Sequence, residues 1–458
     1  MVVVGIGLYL VAVTQGLLLV LDQLVDLPRA LLLVAVWGSY TLFTFLSGSQ
    51  GVLVNDTIMF VVFTVAAILG MGWVIGAAGG PVVAMQRMAQ LTEKPNGIAW
   101  HGLTGADNYM GSSVQILIYA VTFGIVWATV VAVSPWQSSR FLMARNEHVA
   151  IRSALFATAA LSVTYLFLTF GGFSINLFNA DIDPSEVAFI WTAENVLPSL
   201  LGVIAVTGIV AAGLSSAASF LSLIGFSAAN DVMPYLLRTR RQLPEPTTAQ
   251  ALGEVRPAPR STHYDRDVPR SEQPAPGTIT SHTDDDDVKG LWVARWTMLI
   301  AGLAVLGITF VAPPAVLTIG YFAATLFAAS WGPIAFWSVQ SDRLTARGAT
   351  VGMLAGFTTV AAFESLTSFG EVTLPSLLNP TVLGFTTSIV GTLLGNIGVR
   401  PSANGIAFRR RMLVVPEEDR NSREFGITRV YVFVTIGILA LSSVLLIVFY
   451  VVPYSSTL

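Results

Sequence analysis

The chain has 458 residues, of which 54% are hydrophobic and 11% charged, with a mean hydropathy of +0.70. A soluble globular protein carries roughly 25% charged residues, so the composition excludes that class and points to an all-α polytopic membrane protein. The formal net charge of −3 identifies no partner, and the lack of cysteine excludes a disulfide framework or a thiolate metal site.

Apolar runs bounded by polar residues, glycine or proline predict about eleven spanning helices. In chain order they are A (2–22), B (29–46), C (52–77), D (112–133), E (148–175), F (197–226), G (290–311), H (313–338), I (347–366), J (379–398) and K (428–452). The start, Met1-Val-Val-Val-Gly-Ile-Gly, has no basic n-region and no small-residue cleavage pattern, so it reads as a first spanning helix. Pro313-Pro314 forbids one continuous helix through G and H. With a cytoplasmic N-terminus, the outer loops hold only Arg29, Arg87 and Lys94, and the inner loops hold the other basic residues, including Arg140, Arg145, Arg343 and Arg409 to Arg411. That asymmetry predicts a cytoplasmic N-terminus and an extracellular C-terminus in a plasma membrane. The excess of arginine over lysine suggests a GC-rich bacterial genome.

Residues 237–289 differ in kind, being rich in Pro, Ser, Thr, Asp and Arg and poor in large apolar residues. Such a stretch cannot bury enough apolar surface to order itself, and it reads as a disordered cytoplasmic linker. Its acidic run, Asp284 to Asp287, is a solvated charge run or, alternatively, a Ca²⁺-binding segment. No nucleic-acid motif, phosphate-binding loop, zinc spacing or hydrolase elbow is present. His101, His148, His263 and His282 are scattered in or beside loops, so an enzyme reading has no chemistry behind it.

Three segments carry the chemistry. In helix D, Tyr119, Phe123 and Trp127 recur every four residues and share a face, as a core or lipid-facing stripe or as a ligand wall. Ser134-Pro135 then breaks the helix and starts a basic segment through Arg140 and Arg145. In helix F, Ala212, Ser215 and Ser216 stand at i, i+3 and i+4. Two hydroxyls at membrane depth either bond back to carbonyls one turn earlier or, with the Ala212 carbonyl, offer three oxygens to a weakly held Na⁺. In helix I, Gly348, Gly352 and Gly356 give a small-residue face for close packing. Glu364, further along that helix, is an ionisable group close to the membrane, either functional or interfacial.

Together these segments resemble the sodium:solute symporter family. The resemblance rests on Pro135 to Ala144, on Ala211 to Ser219 followed by Asp231, on Phe336 to Met353, and on Gly51 to Asp56, and it runs over about residues 1–400. It implies a LeuT-like fold of two inverted five-helix repeats, with ion and substrate sites near the midplane. It implies Na⁺ as coupling ion on Ala212, Ser215 and Ser216, and a substrate cavity near Trp127, Phe123 and Tyr119, with Tyr321 facing the same cavity.

Against that pattern helix A matches the third core helix, so the first two core helices are expected to be missing from this chain. The implied organisation is a partial first repeat (1–78), an extracellular loop (79–111), a second repeat (112–340) interrupted by the 237–289 linker, and accessory helices (341–458). The implied function is Na⁺-coupled symport of a small organic solute, a monocarboxylate such as acetate or an amino acid. The alternatives are a truncated non-transporting remnant and a membrane sensor or scaffold of the same fold. The sequence names no oligomeric state.

Overall fold

The computed structural model describes residues 1–94, 98, 113–232, 284–312, 315–369, 374, 378–415 and 420–457. Most of the predicted linker, residues 99–112 of the predicted outer loop, and Pro313-Pro314 lie outside the described residues.

The described residues are helical throughout, joined by turns. In chain order the helices are α1 (Val2–Leu24), α2 (Arg29–Ala77), α3 (Pro81–Ala89), α4 (Ser113–Val133), α5 (Pro135–Leu142), α6 (Glu147–Ile175), α7 (Ala188–Asn195) and α8 (Ser199–Ser227). They continue with α9 (Asp284–Val311), α10 (Val316–Gln340), α11 (Ala346–Phe369), α12 (Pro380–Asn396), α13 (Ala403–Met412), α14 (Ser422–Leu446) and α15 (Val452–Ser455). Among the described residues nine stretches are long and apolar enough to cross a membrane, with α2 contributing its Asp56–Ala77 part.

Two expectations about boundaries are corrected. Helices B and C run as one 49-residue helix, α2. The intervening Ser47-Gly-Ser-Gln-Gly51 lowers helix propensity but contains no proline, so no backbone donor is lost and the helix continues. Its Arg29–Phe45 and Asp56–Ala77 parts are two separate apolar stretches. The end of the predicted linker is also corrected, because the backbone is helical from Asp284; a run of aspartates favours the positive end of a helix macrodipole. The predicted break at Ser134-Pro135 is present: α4 ends at Val133, Ser134 is extended, and Pro135 opens α5.

The core forms around α1. Ile6, Leu10 and Leu17 pack with Val36 and Tyr40 of α2, Val126 and Val130 of α4, Leu221 and Ile224 of α8, Met298 of α9, and Ala324 and Phe327 of α10. The polar Gln15 is fully buried in α1. Its amide donates to the carbonyls of Thr309 (2.9 Å) and Ala312 (2.9 Å), and its Oε1 accepts from Arg29 (3.3 Å). One side chain thus satisfies two of the carbonyls that the end of α9 leaves without an intrahelical donor.

Two helix pairs flank this core. On one side α14 lies along α6, tied by Arg152, which pairs with Glu424 (2.6 Å) and donates to Thr428 (3.0 Å). On the other side α12 lies antiparallel to α11, and the glycine face predicted on helix I is its contact surface. A Cβ at Gly348 would collide with Asn396, and one at Gly352 with Thr392. Without a strong hydrophobic drive between helices in lipid, such close backbone approach is what holds a pair together.

Candidate ion and solute site

Asp56 lies on α2 inside an apolar stretch, and its carboxylate faces the serine run of α8. Ser215 Oγ donates to Asp56 Oδ1 at 2.6 Å, and Ser219 Oγ lies 3.2 Å from Oδ2. Arg140 on α5 forms an ion pair with the same carboxylate and donates to Ser219 Oγ at 2.7 Å. The α4–α5 break makes this possible: Pro135 stops the aromatic helix and starts a separate short one, so Arg140 reaches α2 and α8 together.

Ser215 therefore turns its hydroxyl away from the carbonyl one turn back. Ser222, two turns further along the same helix, does the opposite and bonds to Ala218 O at 2.8 Å. Asp56, Arg140, Ala212, Ser215, Ser216 and Ser219 all line one cavity of about 410 Å³, closed in part by Phe63, Trp136 and Phe220. Neither charge is fully withdrawn from solvent, with side-chain exposures of 22% for Asp56 and 29% for Arg140.

The polar side chains lining the cavity are the Asp56 carboxylate, the Gln137 amide, three serine hydroxyls and the Arg140 guanidinium, and the oxygens among them are of the kind a hard cation takes. Among the described residues no group of three or more His, Cys, Asp or Glu assembles. Arg140 is the standing counter-charge. Asp231, at the end of α8, is separate from this cavity and accepts from Ser227 at 2.9 Å.

Beside Arg140 on α5, Trp136 anchors an aromatic cluster. Its ring meets Tyr9 at 4.9 Å, Phe220 at 5.4 Å and Phe327 at 5.4 Å, edge-on in each case. The short helix is thus held by one ion pair and by rings from α1, α8 and α10.

The four predicted aromatic residues form a second group along α4, away from α5. Tyr119 and Phe123 are 5.8 Å apart, Phe123 and Trp127 6.0 Å. Tyr321 of α10 stacks on Phe123 at 5.2 Å, with an interplanar angle of 13°. Tyr321 Oη lies 3.4 Å from Thr381 Oγ1 on α12. The structure brings Ala212, Ser215 and Ser216 into one cavity and Tyr119, Phe123, Trp127 and Tyr321 into one column of rings.

Asp56, Arg140 and Ser219 lie within the sequence motifs, which assign none of them a role. The available signal was a carboxylate in an apolar span, a costly placement that marks a functional group by default.

A family model described as the sodium:solute symporter family matches residues 2–242, a stretch that contains Asp56, Arg140 and the α8 serines. No curated protein matches the chain. Among solved structures, one described as the substrate-bound outward-open state of a Na⁺-coupled sialic acid symporter, revealing a novel Na⁺ site, matches with a TM-score of 0.57. It is 16% identical, and the match covers 88% of this chain and 74% of that one, so the two share a fold. Since the family model spans just over half of the 458 residues, the chain belongs to the sodium:solute symporter family, multi-pass membrane carriers that couple solute movement to Na⁺.

Proposed function

We propose that this chain binds its coupling Na⁺ at the α2–α8 contact and its solute along the aromatic column of α4. Ser215, Ser216 and the Ala212 carbonyl are the ion ligands read from the sequence, and Asp56 and Ser219 join them. The observation that carries this reading is the Ser215 hydroxyl directed onto the Asp56 carboxylate across two helices. Three neutral oxygens bind a monovalent ion weakly, and a carboxylate among them adds the missing attraction. At an effective dielectric of 20, opposite unit charges 4 Å apart attract by about 4 kcal/mol.

Arg140 gives the ion a means of acting on the protein. While Arg140 holds Asp56, it ties α5 to α2 and α8. A cation at Asp56 competes for the same carboxylate and weakens that tie. Occupancy and the position of α5 are then linked, and the coupling is reciprocal. The Trp136 cluster sits on the same short helix, so loosening α5 also loosens the aromatic packing between the ion cavity and the core.

The solute is a small organic molecule, a monocarboxylate such as acetate or an amino acid, lying against Trp127, Phe123, Tyr119 and Tyr321. The repeat organisation read from the sequence belongs to the same proposal: residues 1–78 in the first repeat, 112–340 in the second and 341–458 as accessory helices. The face bearing Arg140, Arg343 and Arg409 to Arg411 is taken as cytoplasmic on the positive-inside asymmetry.

The test is uptake of labelled acetate and proline by proteoliposomes, with and without a Na⁺ gradient. Replacing Ser215 and Ser216 with alanine should abolish the Na⁺-driven component while the protein still reaches the membrane. Unchanged Na⁺ dependence in that double variant overturns the ion-site assignment.

A further inference from the structure

Glu364 stands outside the site described so far. It lies on α11 within a candidate span that ends at Thr367. Among the described residues no ion pair or side-chain hydrogen bond reaches its carboxylate. The packing of α11 on α12 fixes what stands opposite it. Gly348 faces Asn396, Gly352 faces Thr392, Gly356 faces Ser388, and Val360 faces Gly384. Each step of four along α11 moves four back along α12. Carried one step further, the same register brings Glu364 level with Pro380 and Thr381, at the start of α12.

Thr381 is buried, and its hydroxyl lies 3.4 Å from the Tyr321 phenol oxygen. Glu364 and Tyr119 are both within electrostatic reach of that phenol. Four helices thus converge here: α11 brings a carboxylate, α12 and α10 bring hydroxyls, and α4 brings the rings of Tyr119 and Phe123. A carboxylate, two hydroxyl acceptors and aromatic faces are the chemistry that recognises an organic cation. The same carboxylate repels a bare anion.

We propose that Glu364, with Tyr321 and Thr381, forms a site for the ammonium group of the transported solute, which makes that solute an amine or amino acid rather than acetate. This rests on the reading of the aromatic column as the solute path, but it does not depend on where Na⁺ binds.

The experiment is thermal stabilisation of the purified full chain in saturating Na⁺, with proline, glycine betaine, choline and acetate as probes. At least one ammonium probe should stabilise the wild type and acetate should not. Glu364→Gln should weaken that probe by about tenfold or more, the loss of one charge–charge contact, and Glu364→Asp should retain part of the effect. Stabilisation by acetate, equal shifts in wild type and Glu364→Gln, or no shift from any of the three ammonium probes overturns the proposal. A Na⁺ titration without solute separates the two readings. If Ser215→Ala/Ser216→Ala leaves the Na⁺ shift intact, the ion site fails and the ammonium site stands. If Glu364→Gln removes the Na⁺ shift, Glu364 serves the inorganic ion and the ammonium assignment fails.

Discussion

α8 and α11 have the same texture in the sequence. Each carries small residues at four-residue spacing, Gly208, Ala212 and Ser216 in one and Gly348, Gly352 and Gly356 in the other. Their fates in the fold differ. The α11 stripe meets Asn396, Thr392 and Ser388 of α12, and the Thr392 hydroxyl closes back on its own helix, donating to Ser388 O at 2.7 Å. The α8 stripe meets Ala66 of α2 at Gly208. Two turns on, the helix reaches Asp56 and Arg140, and the neighbouring Ser215 and Ser219 hydroxyls leave their own helix for a charged partner. A stripe of small residues is a packing device by itself. It becomes a site where a charge on a neighbouring helix gives its hydroxyls something better than the backbone.

Removing that charge is the most direct way to break the contrast. Asp56→Asn should have the largest effect. It deletes the ion pair to Arg140 and weakens two serine contacts. Hydrogen bonds to a charged group are worth about 1.5–3 kcal/mol each, so Na⁺-driven uptake should fall by about a hundredfold or more. Because the variant leaves Arg140 without its counter-charge, Asp56→Asn/Arg140→Gln is the companion. The double variant should recover melting temperature without recovering Na⁺ dependence. If it recovers both, Asp56 only neutralises Arg140 and the serines are packing residues like those of α11.

The sequence carried the helices, the Ser134-Pro135 break and the glycine face of α11, because each is local. Periodicity, proline and four-residue spacing act within one or two turns. Three features stayed out of reach. Arg140 and Asp56 are 84 positions apart, and Gln15 caps carbonyls 294 and 297 positions away. Nothing local marks either pairing. The fusion of helices B and C was hidden for another reason: Gly and Ser between two apolar runs end a helix or are carried through it according to what packs around them. At Ser215 the sequence allowed both back-bonding and ligation, and the choice rests on a carboxylate that only the fold brings near.

Gly352→Val is the intermediate test, aimed at the other half of the comparison. The added side chain would collide with Thr392 and approach Ser388 O at 2.8 Å. Overpacking of this kind costs about 1–3 kcal/mol, so the melting temperature should drop. The midpoint for Na⁺ stabilisation should not move, because α11 contributes nothing to the Asp56 cavity. A shift in that midpoint would mean that the α11–α12 pair and the ion site move as one body.

Ser388→Ala should have the smallest effect, and its sign is informative. Ser388 is fully buried at the α11–α12 contact, where a Cβ on Gly356 would come within 2.9 Å of its own Cβ. Its hydroxyl has no hydrogen-bond partner among the described residues. An unpaired buried polar group costs about 1–3 kcal/mol, whereas removing one oxygen opens little space in so tight a contact. Stability should stay level or rise, and Na⁺ dependence should be untouched. The same substitution at Ser215 deletes a 2.6 Å bond to a carboxylate and should lower Na⁺ affinity. The two variants remove the same atom from helices of the same texture, so the difference in their Na⁺ titrations measures what the opposing charge contributes. Equal outcomes would show that the α8 hydroxyls, like that of Ser388, are bystanders to packing.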